Sequence, residues 1–232
     1  MTRTTTAFHE APEVLDRREG PYGEVVLRRH GELLQIIANG CFLMDTSDGR
    51  SERLLVDAAR DALDGDRAVP APHVLIGGLG VGFSLAHAAA DPYWGRITVV
   101  EREPAIIDWH RNGPLAPLSA DALADPRTRI VEADLVKYVH ETCATFDALC
   151  LDIDNGPGWT VTEDNEGLYS QAGLAGCARV LRPEGVLAVW SAQPSREFEQ
   201  TLWNAGFRAV RTEEIQVARG VPDVVHFAVG PG

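Results

Sequence analysis

From residue 73 to residue 205 the chain repeats one pattern, a short apolar run followed by a stretch with apolar residues at helical spacing. The runs lie at 73–76, 96–100, 128–131, 146–151 and 186–191, and helical stretches at 83–90, 104–112, 135–143, 166–181 and 196–205 follow them one by one. Strands that alternate with helices in this way pair in parallel and are covered on both faces, which predicts a doubly wound α/β sheet. Two last runs, 209–215 and 224–229, have no helix between them. They predict an antiparallel hairpin at one edge of the sheet.

The first part of the chain is built differently. Residues 1–20 are polar, contain Pro12 and end at Gly20-Pro21, so they are expected to form a loosely held arm. Runs at 24–29, 32–38 and 41–44 follow, separated by His30-Gly31 and Asn39-Gly40. Asn-Gly between β-rich runs signals a tight hairpin, and a three-stranded antiparallel unit is expected. A helix over 50–63 comes next, with Leu54, Leu55, Ala58, Ala59 and Ala62 on one face. The predicted domains are therefore 1–49, an arm and small β unit, and 50–232, a Rossmann-like domain.

Composition limits what such a fold serves. The 232 residues include 21 Lys and Arg against 34 Asp and Glu, a net charge of −13. Phosphate backbones are bound by clustered cations, so nucleic acid is not an expected partner. Cationic or neutral small molecules are favoured. Cys41, Cys143, Cys150 and Cys177 form no CxxC pair, and the seven histidines show no paired ligand spacing, so no metal is expected. No apolar stretch reaches membrane-span length, and the opening MTRTTTAFHEAPEV lacks a signal-peptide core, so the expected location is the cytoplasm.

Ligands of open α/β sheets bind at the carboxyl ends of strands. The first strand of the large domain ends in Gly77-Gly78-Leu79-Gly80-Val81-Gly82 and runs straight into a helix. Glycines there permit a tight turn and close approach of a ligand. The dinucleotide pattern GxGxxG needs a glycine at position 83 or 85, and Phe83 and Leu85 stand there instead. Acids then end the next three strands. Glu101 is placed to accept ribose hydroxyls and Asp134 to accept an adenine amino group, while Asp152 and Asp154 stand at the mouth of the pocket. Asp is also a preferred helix cap, so capping the following helix is the competing role for Asp134. Asp154 and Asn155 are ordinary turn formers, and Trp159 is placed either in the core or as a wall over a substrate. The set describes a nucleoside held without a pyrophosphate.

These residues resemble the class I AdoMet-dependent transferases, and within them the spermidine synthase (polyamine aminopropyltransferase) family. The resemblance runs over about residues 22 to 230, through the N-terminal β unit, VLIGGLGVG, VVEREP, EAD, LDIDNGPG and LYSQAGLAGCARVLRPEGVLAVWS. It implies an AdoMet methyltransferase-type fold and transfer of an aminopropyl group from decarboxylated S-adenosylmethionine to an amine by in-line displacement. Gly78, Gly80 and Gly82 would line the nucleoside, with Glu101 on the ribose and Asp134 on the adenine. Asp152 would be the catalytic acid, and Asp154, Asn155 and Trp159 would face the acceptor. Three motifs depart from the family pattern. GGGDG reads GGLGVG, DxxDP reads Asp152-Ile153-Asp154-Asn155-Gly156, and YHE corresponds to Arg50-Ser51-Glu52. These departures keep two alternatives open, a methyltransferase using S-adenosylmethionine itself and a silent nucleoside-binding homologue. The exposed edges of the β unit suggest a homodimer.

Overall fold

The computed structural model describes residues 11–63, 70–153, 156–157, 163–215 and 222–231. The chain divides into two compact units, Met1–Asp48 and Gly49–Gly232.

The first unit is a four-stranded antiparallel meander of β1 (Glu13–Gly20), β2 (Gly23–His30), β3 (Leu33–Ala38) and β4 (Cys41–Asp45). Strand β1 corrects the expectation of a loose arm: Val14 to Gly20 pair along β2, with a bulge between Val14 and Asp16. Apolar alternation is missing from β1, which lies at the sheet edge and is mostly exposed, so its pairing leaves no hydrophobic period to read. The Asn39-Gly40 turn is as expected. Both residues have positive φ, 50° and 78°. The Asn39 side chain also accepts from Glu24 N at 3.0 Å and donates to the Tyr22 carbonyl at 3.1 Å, tying two turns together.

The second unit is a seven-stranded sheet in the order β10-β11-β9-β8-β5-β6-β7. Its parallel part comprises β5 (His73–Gly77), β6 (Arg96–Glu101), β7 (Thr128–Glu132), β8 (Phe146–Leu151) and β9 (Leu181–Ser191). The antiparallel hairpin of β10 (Arg208–Ile215) and β11 (Asp223–Val229) extends one edge through β9. Helices α1 (Arg50–Leu63), α2 (Phe83–Ala90), α3 (Pro104–Asn112) and α4 (Ala116–Ala124) form one connected set of packed helices. So do α5 (Leu135–Glu141), α6 (Glu163–Tyr169), α7 (Gln171–Val180) and α8 (Arg196–Asn204). Strand β8 is buried at every residue, as a central parallel strand must be. Burial also pushes the Cys177 thiol up to about 12, which keeps it unreactive.

Three details differ from the sequence expectation. Helix α1 turns Leu55, Val56, Ala59 and Leu63 inward and leaves Leu54 exposed. Helix α4 is an addition, with no strong apolar period to announce it. The expected long helix over 166–181 breaks at Ser170, whose hydroxyl lies 2.7 Å from the Gly167 carbonyl and accepts from Gly173 N at 3.2 Å, capping α7. Among the described residues no helix is long and apolar enough to cross a membrane.

Candidate active site

Strand β5 lies between β6 and β8, where the connections turn from one side of the sheet to the other. A crevice opens at the carboxyl ends of the strands at such a point. The glycine turn follows β5 directly and is fixed from two sides: Gly78 N donates to Val100 O, and Asp152 N donates to Gly77 O, both at 2.9 Å. Gly78 has φ +92°, and a Cβ there would sit 2.4 Å from the Asp152 carbonyl oxygen. Gly80 and Gly82 also have positive φ, 50° and 95°. The glycines are therefore required by the packing of the turn itself, whatever else they line.

Glu101, at the end of β6, is buried, and each carboxylate oxygen accepts a backbone N–H at 2.8 Å, Oε2 from Leu79 and Oε1 from Glu103. It thus belts the glycine turn to the start of α3. Burial pushes its carboxyl up, and the N–H groups and Arg102 oppose that shift. On the far side of the turn His110 is buried with Nδ1 2.7 Å from Ser119 Oγ and Nε2 2.9 Å from the Gly80 carbonyl oxygen. A carbonyl only accepts, so Nε2 carries the proton and Nδ1 accepts from Ser119. Asp134 caps α5, its Oδ1 accepting from Lys137 N at 2.9 Å. That capping role occupies one oxygen of the half-buried carboxylate.

Asp152 follows β8 with the Ser84 hydroxyl 3.2 Å from its Oδ2. The same hydroxyl lies 3.4 Å from the Glu52 carbonyl oxygen, so the first turn of α1 and the end of β8 meet at one hydrogen. Glu52 Oε2 is buried without a hydrogen-bond partner among the described residues. Burial, and then the charge of Asp152, hold the Glu52 carboxyl well above the usual carboxylate range, with Asp223 adding to the effect. Asp152 is raised too, first by burial, with Ser84 opposing and Asp223 adding. Asp223 opens β11 and accepts from Ser51 Oγ at 2.6 Å. Three carboxylates thus converge from α1, β8 and β11.

Sequence reasoning places Asp152 here but misses its companions. Glu52 belongs to Arg50-Ser51-Glu52, a segment that lacks the Tyr and His of the family motif it corresponds to. Asp223 stands at the start of an edge strand and carries no local signal. The expected Asp154, Asn155 and Trp159 lie outside the described residues. Gly156, just beyond, has φ +92°, and a Cβ on it would meet Ser191 Oγ at 2.5 Å, so the chain returns tightly over the end of β9. Tyr169 is buried and edge-on to Phe198 at 5.6 Å, and its hydroxyl reaches the Ile153 carbonyl at 3.4 Å. It is part of the hydrophobic core with Phe198.

Known proteins share both the pattern and the architecture. The polyamine aminopropyltransferase of Shigella boydii serotype 4 (strain Sb227) is 35% identical over 118 residues, 50% of this chain and 38% of that protein. That of Mycobacterium tuberculosis (strain CDC 1551 / Oshkosh) is 29% identical over 189 residues, 79% of this chain and 34% of its own. The chain thus spans less than two fifths of the length of these curated relatives. A crystal structure of spermidine synthase in complex with the transition state analogue AdoDATO superposes with a TM-score of 0.73 at 18% identity, covering 94% of this chain and 73% of the other. The spermidine synthase of Thermotoga maritima does so with a TM-score of 0.73, covering 72% of its length. The spermine/spermidine synthase domain itself matches residues 68–204, more than half of the chain, and the chain belongs to that family.

Proposed function

We propose that the protein transfers an aminopropyl group from decarboxylated S-adenosylmethionine to an amine. The observation that carries this reading is the convergence of Glu52, Asp152 and Asp223 beside the glycine turn, with Glu52 Oε2 buried and unpartnered among the described residues. Buried carboxylates held above their usual range call for a cation to pair with. A protonated amine meets that requirement, while the turn beside it suits a nucleoside.

The sulfonium donor brings its own activation, so positioning and exclusion of water are the protein's main tasks. The amine must lose a proton before its nitrogen lone pair is available. Asp152, raised and close to the crevice, orients the ammonium and takes that proton. The new N–C bond forms in line as the C–S bond breaks, and the bonding pair leaves on sulfur as methylthioadenosine. Gly78, Gly80 and Gly82 line the nucleoside. Glu101, whose oxygens each keep a lone pair after binding Leu79 N and Glu103 N, accepts from the ribose, and Asp134 uses its remaining oxygen for the adenine amino group. Asp154, Asn155 and Trp159 are assigned to the acceptor side, and the working unit to a homodimer.

Incubation with decarboxylated S-adenosylmethionine and 1,4-diaminobutane should release methylthioadenosine, detected by chromatography. Asp152→Asn should lower turnover by about 10²–10⁴-fold while methylthioadenosine still raises the melting temperature. Unchanged turnover in that variant removes Asp152 from the chemistry. Stabilisation by NAD and by no adenosyl sulfur compound overturns the reading altogether.

A further inference from the structure

The amino-terminal end of the parallel sheet, opposite the glycine turn, holds a second cavity, of about 410 Å³. His73, Arg96, Thr98, Arg127, Thr128 and Arg129 line it. The parallel register sets His73 beside Arg96 and Thr98 beside Arg129. Side chains alternate along a strand, so His73, Arg96, Thr98 and Arg129 project from the same face of three neighbouring strands.

Arg127 is committed elsewhere. Its guanidinium bonds the Asp125 carboxylate and the carbonyls of Ala89, Asp91 and Trp94. The guanidiniums of Arg96 and Arg129, by contrast, make no hydrogen bond or ion pair among the described residues, although the chain has thirteen surplus negative charges to offer. His73 packs against Phe146 with ring centroids 4.5 Å apart, and its Nε2 lies 2.9 Å from Thr98 Oγ1. Burial lowers this imidazole to about 4, and Arg96 and Arg182 reinforce the shift while Asp147 opposes it. Asp147 is already paired, accepting from Arg182 Nη1 at 2.6 Å and from His73 N at 2.7 Å. The charges around the cavity therefore sum to an uncompensated positive field.

We propose that this cavity is an oxyanion site, with the Arg96 and Arg129 guanidiniums as its two arms and Thr98 linking the bound anion to His73. Paired guanidiniums match the geometry of a phosphate group or of a dicarboxylate. The site lies at the opposite strand ends from Glu52, Asp152 and Asp223 and is independent of the aminopropyl reading. It would take a phosphorylated metabolite or a small carboxylic acid as an effector. Binding is linked to His73: an anion between the two guanidiniums offsets the part of the shift that Arg96 contributes, and protonating His73 must in return tighten the anion.

The test is an NMR titration of the His73 Cε1–H resonance in the intact protein, with inorganic phosphate in one series and citrate in the other. A saturable rise in the pH midpoint of His73 is expected with at least one anion. The stronger arm identifies the ligand as phosphate or carboxylate. Arg96→Gln and Arg129→Gln should each weaken that response by about tenfold or more with the melting temperature unchanged. Arg208→Gln, on the hairpin edge, should leave it intact. The proposal is overturned if neither anion moves His73 saturably, or if the response survives in both arginine variants.

Discussion

Glu52 and Asp152 carry the same functional group into the same space from a helix and a strand that are far apart in sequence. Their environments make them unequal. Asp152 is stabilised in its charged form by Ser84, whereas Glu52 Oε2 has no partner among the described residues and must ionise against the charge of Asp152. As pH rises, Asp152 therefore loses its proton first and Glu52 follows. An amine cation gains from each ionisation, so its affinity should improve in two steps. Glu52→Gln removes the second step. In steady-state assays at the alkaline end the variant should need about 10–100-fold more diamine for half-saturation, since a charged partner is worth about 1.5–3 kcal/mol, and that requirement should become flat with pH. A pH profile of diamine half-saturation identical to the wild type would place Glu52 outside the acceptor site. At this scale the sequence is legible where chemistry and local pattern coincide. Asp152 ends an apolar run beside a Gly-Pro-Gly turn, a position with no packing reason for an acid. Glu52 sits on an amphipathic helix where acids are ordinary, and only the long-range meeting of α1 with β8 makes it special.

The glycine turn works as an element because three separate parts of the chain hold it. Asp152 and Val100 fix its backbone, Glu101 takes the Leu79 N–H, and His110 takes the Gly80 carbonyl. Gly78→Ala would place a Cβ 2.4 Å from the Asp152 carbonyl oxygen at φ +92°, pressing the ends of β5 and β8 apart. A loss of about 2–4 kcal/mol in chemical denaturation is expected, with methylthioadenosine binding lost alongside. His110→Phe keeps an aromatic ring, slightly larger, and removes both hydrogen bonds, leaving the Gly80 carbonyl and the Ser119 hydroxyl without the imidazole. It should cost about 1–3 kcal/mol and weaken methylthioadenosine more than it weakens the amine. Equal affinity in wild type and variant would show that the turn keeps its shape without the imidazole. The turn, the order of strands and helices and the edge hairpin are all readable, because buried parallel strands and Gly-rich turns write themselves locally. The braces are not. His110 reads as one polar residue on a helix, and strand β1 reads as a polar arm, since what defines each is a partner distant in the chain.

Across the whole molecule, buried ionisable groups of opposite kind give stability two slopes with pH. His73, His110 and His226 are all held neutral by burial. Their folded values lie below the ordinary 6.5, so the stability they contribute is present above that pH. It is lost as pH falls, for His73 down to about 4. Glu52, Glu101, Glu103 and Asp152 are shifted upward instead. Their contribution is complete below the ordinary carboxylate range and is lost as pH rises through the folded values. Above pH 6.5 the histidines are silent, so there the melting temperature should fall with rising pH. The limiting slope is about 1.4 kcal/mol per pH unit for each proton difference. Glu101 is belted into the turn and the Glu103 carboxylate already faces Arg102 at 3.8 Å, so a soluble cation in the crevice relieves Glu52 and Asp152. Saturating 1,4-diaminobutane should therefore flatten the alkaline fall in the wild type. In the Asp152→Asn, Glu52→Gln double variant it should leave unchanged a fall that is already shallower. If the diamine leaves the wild-type slope as it was, the three converging carboxylates do not take up an amine, and the reading of the crevice as an acceptor site is lost with that result.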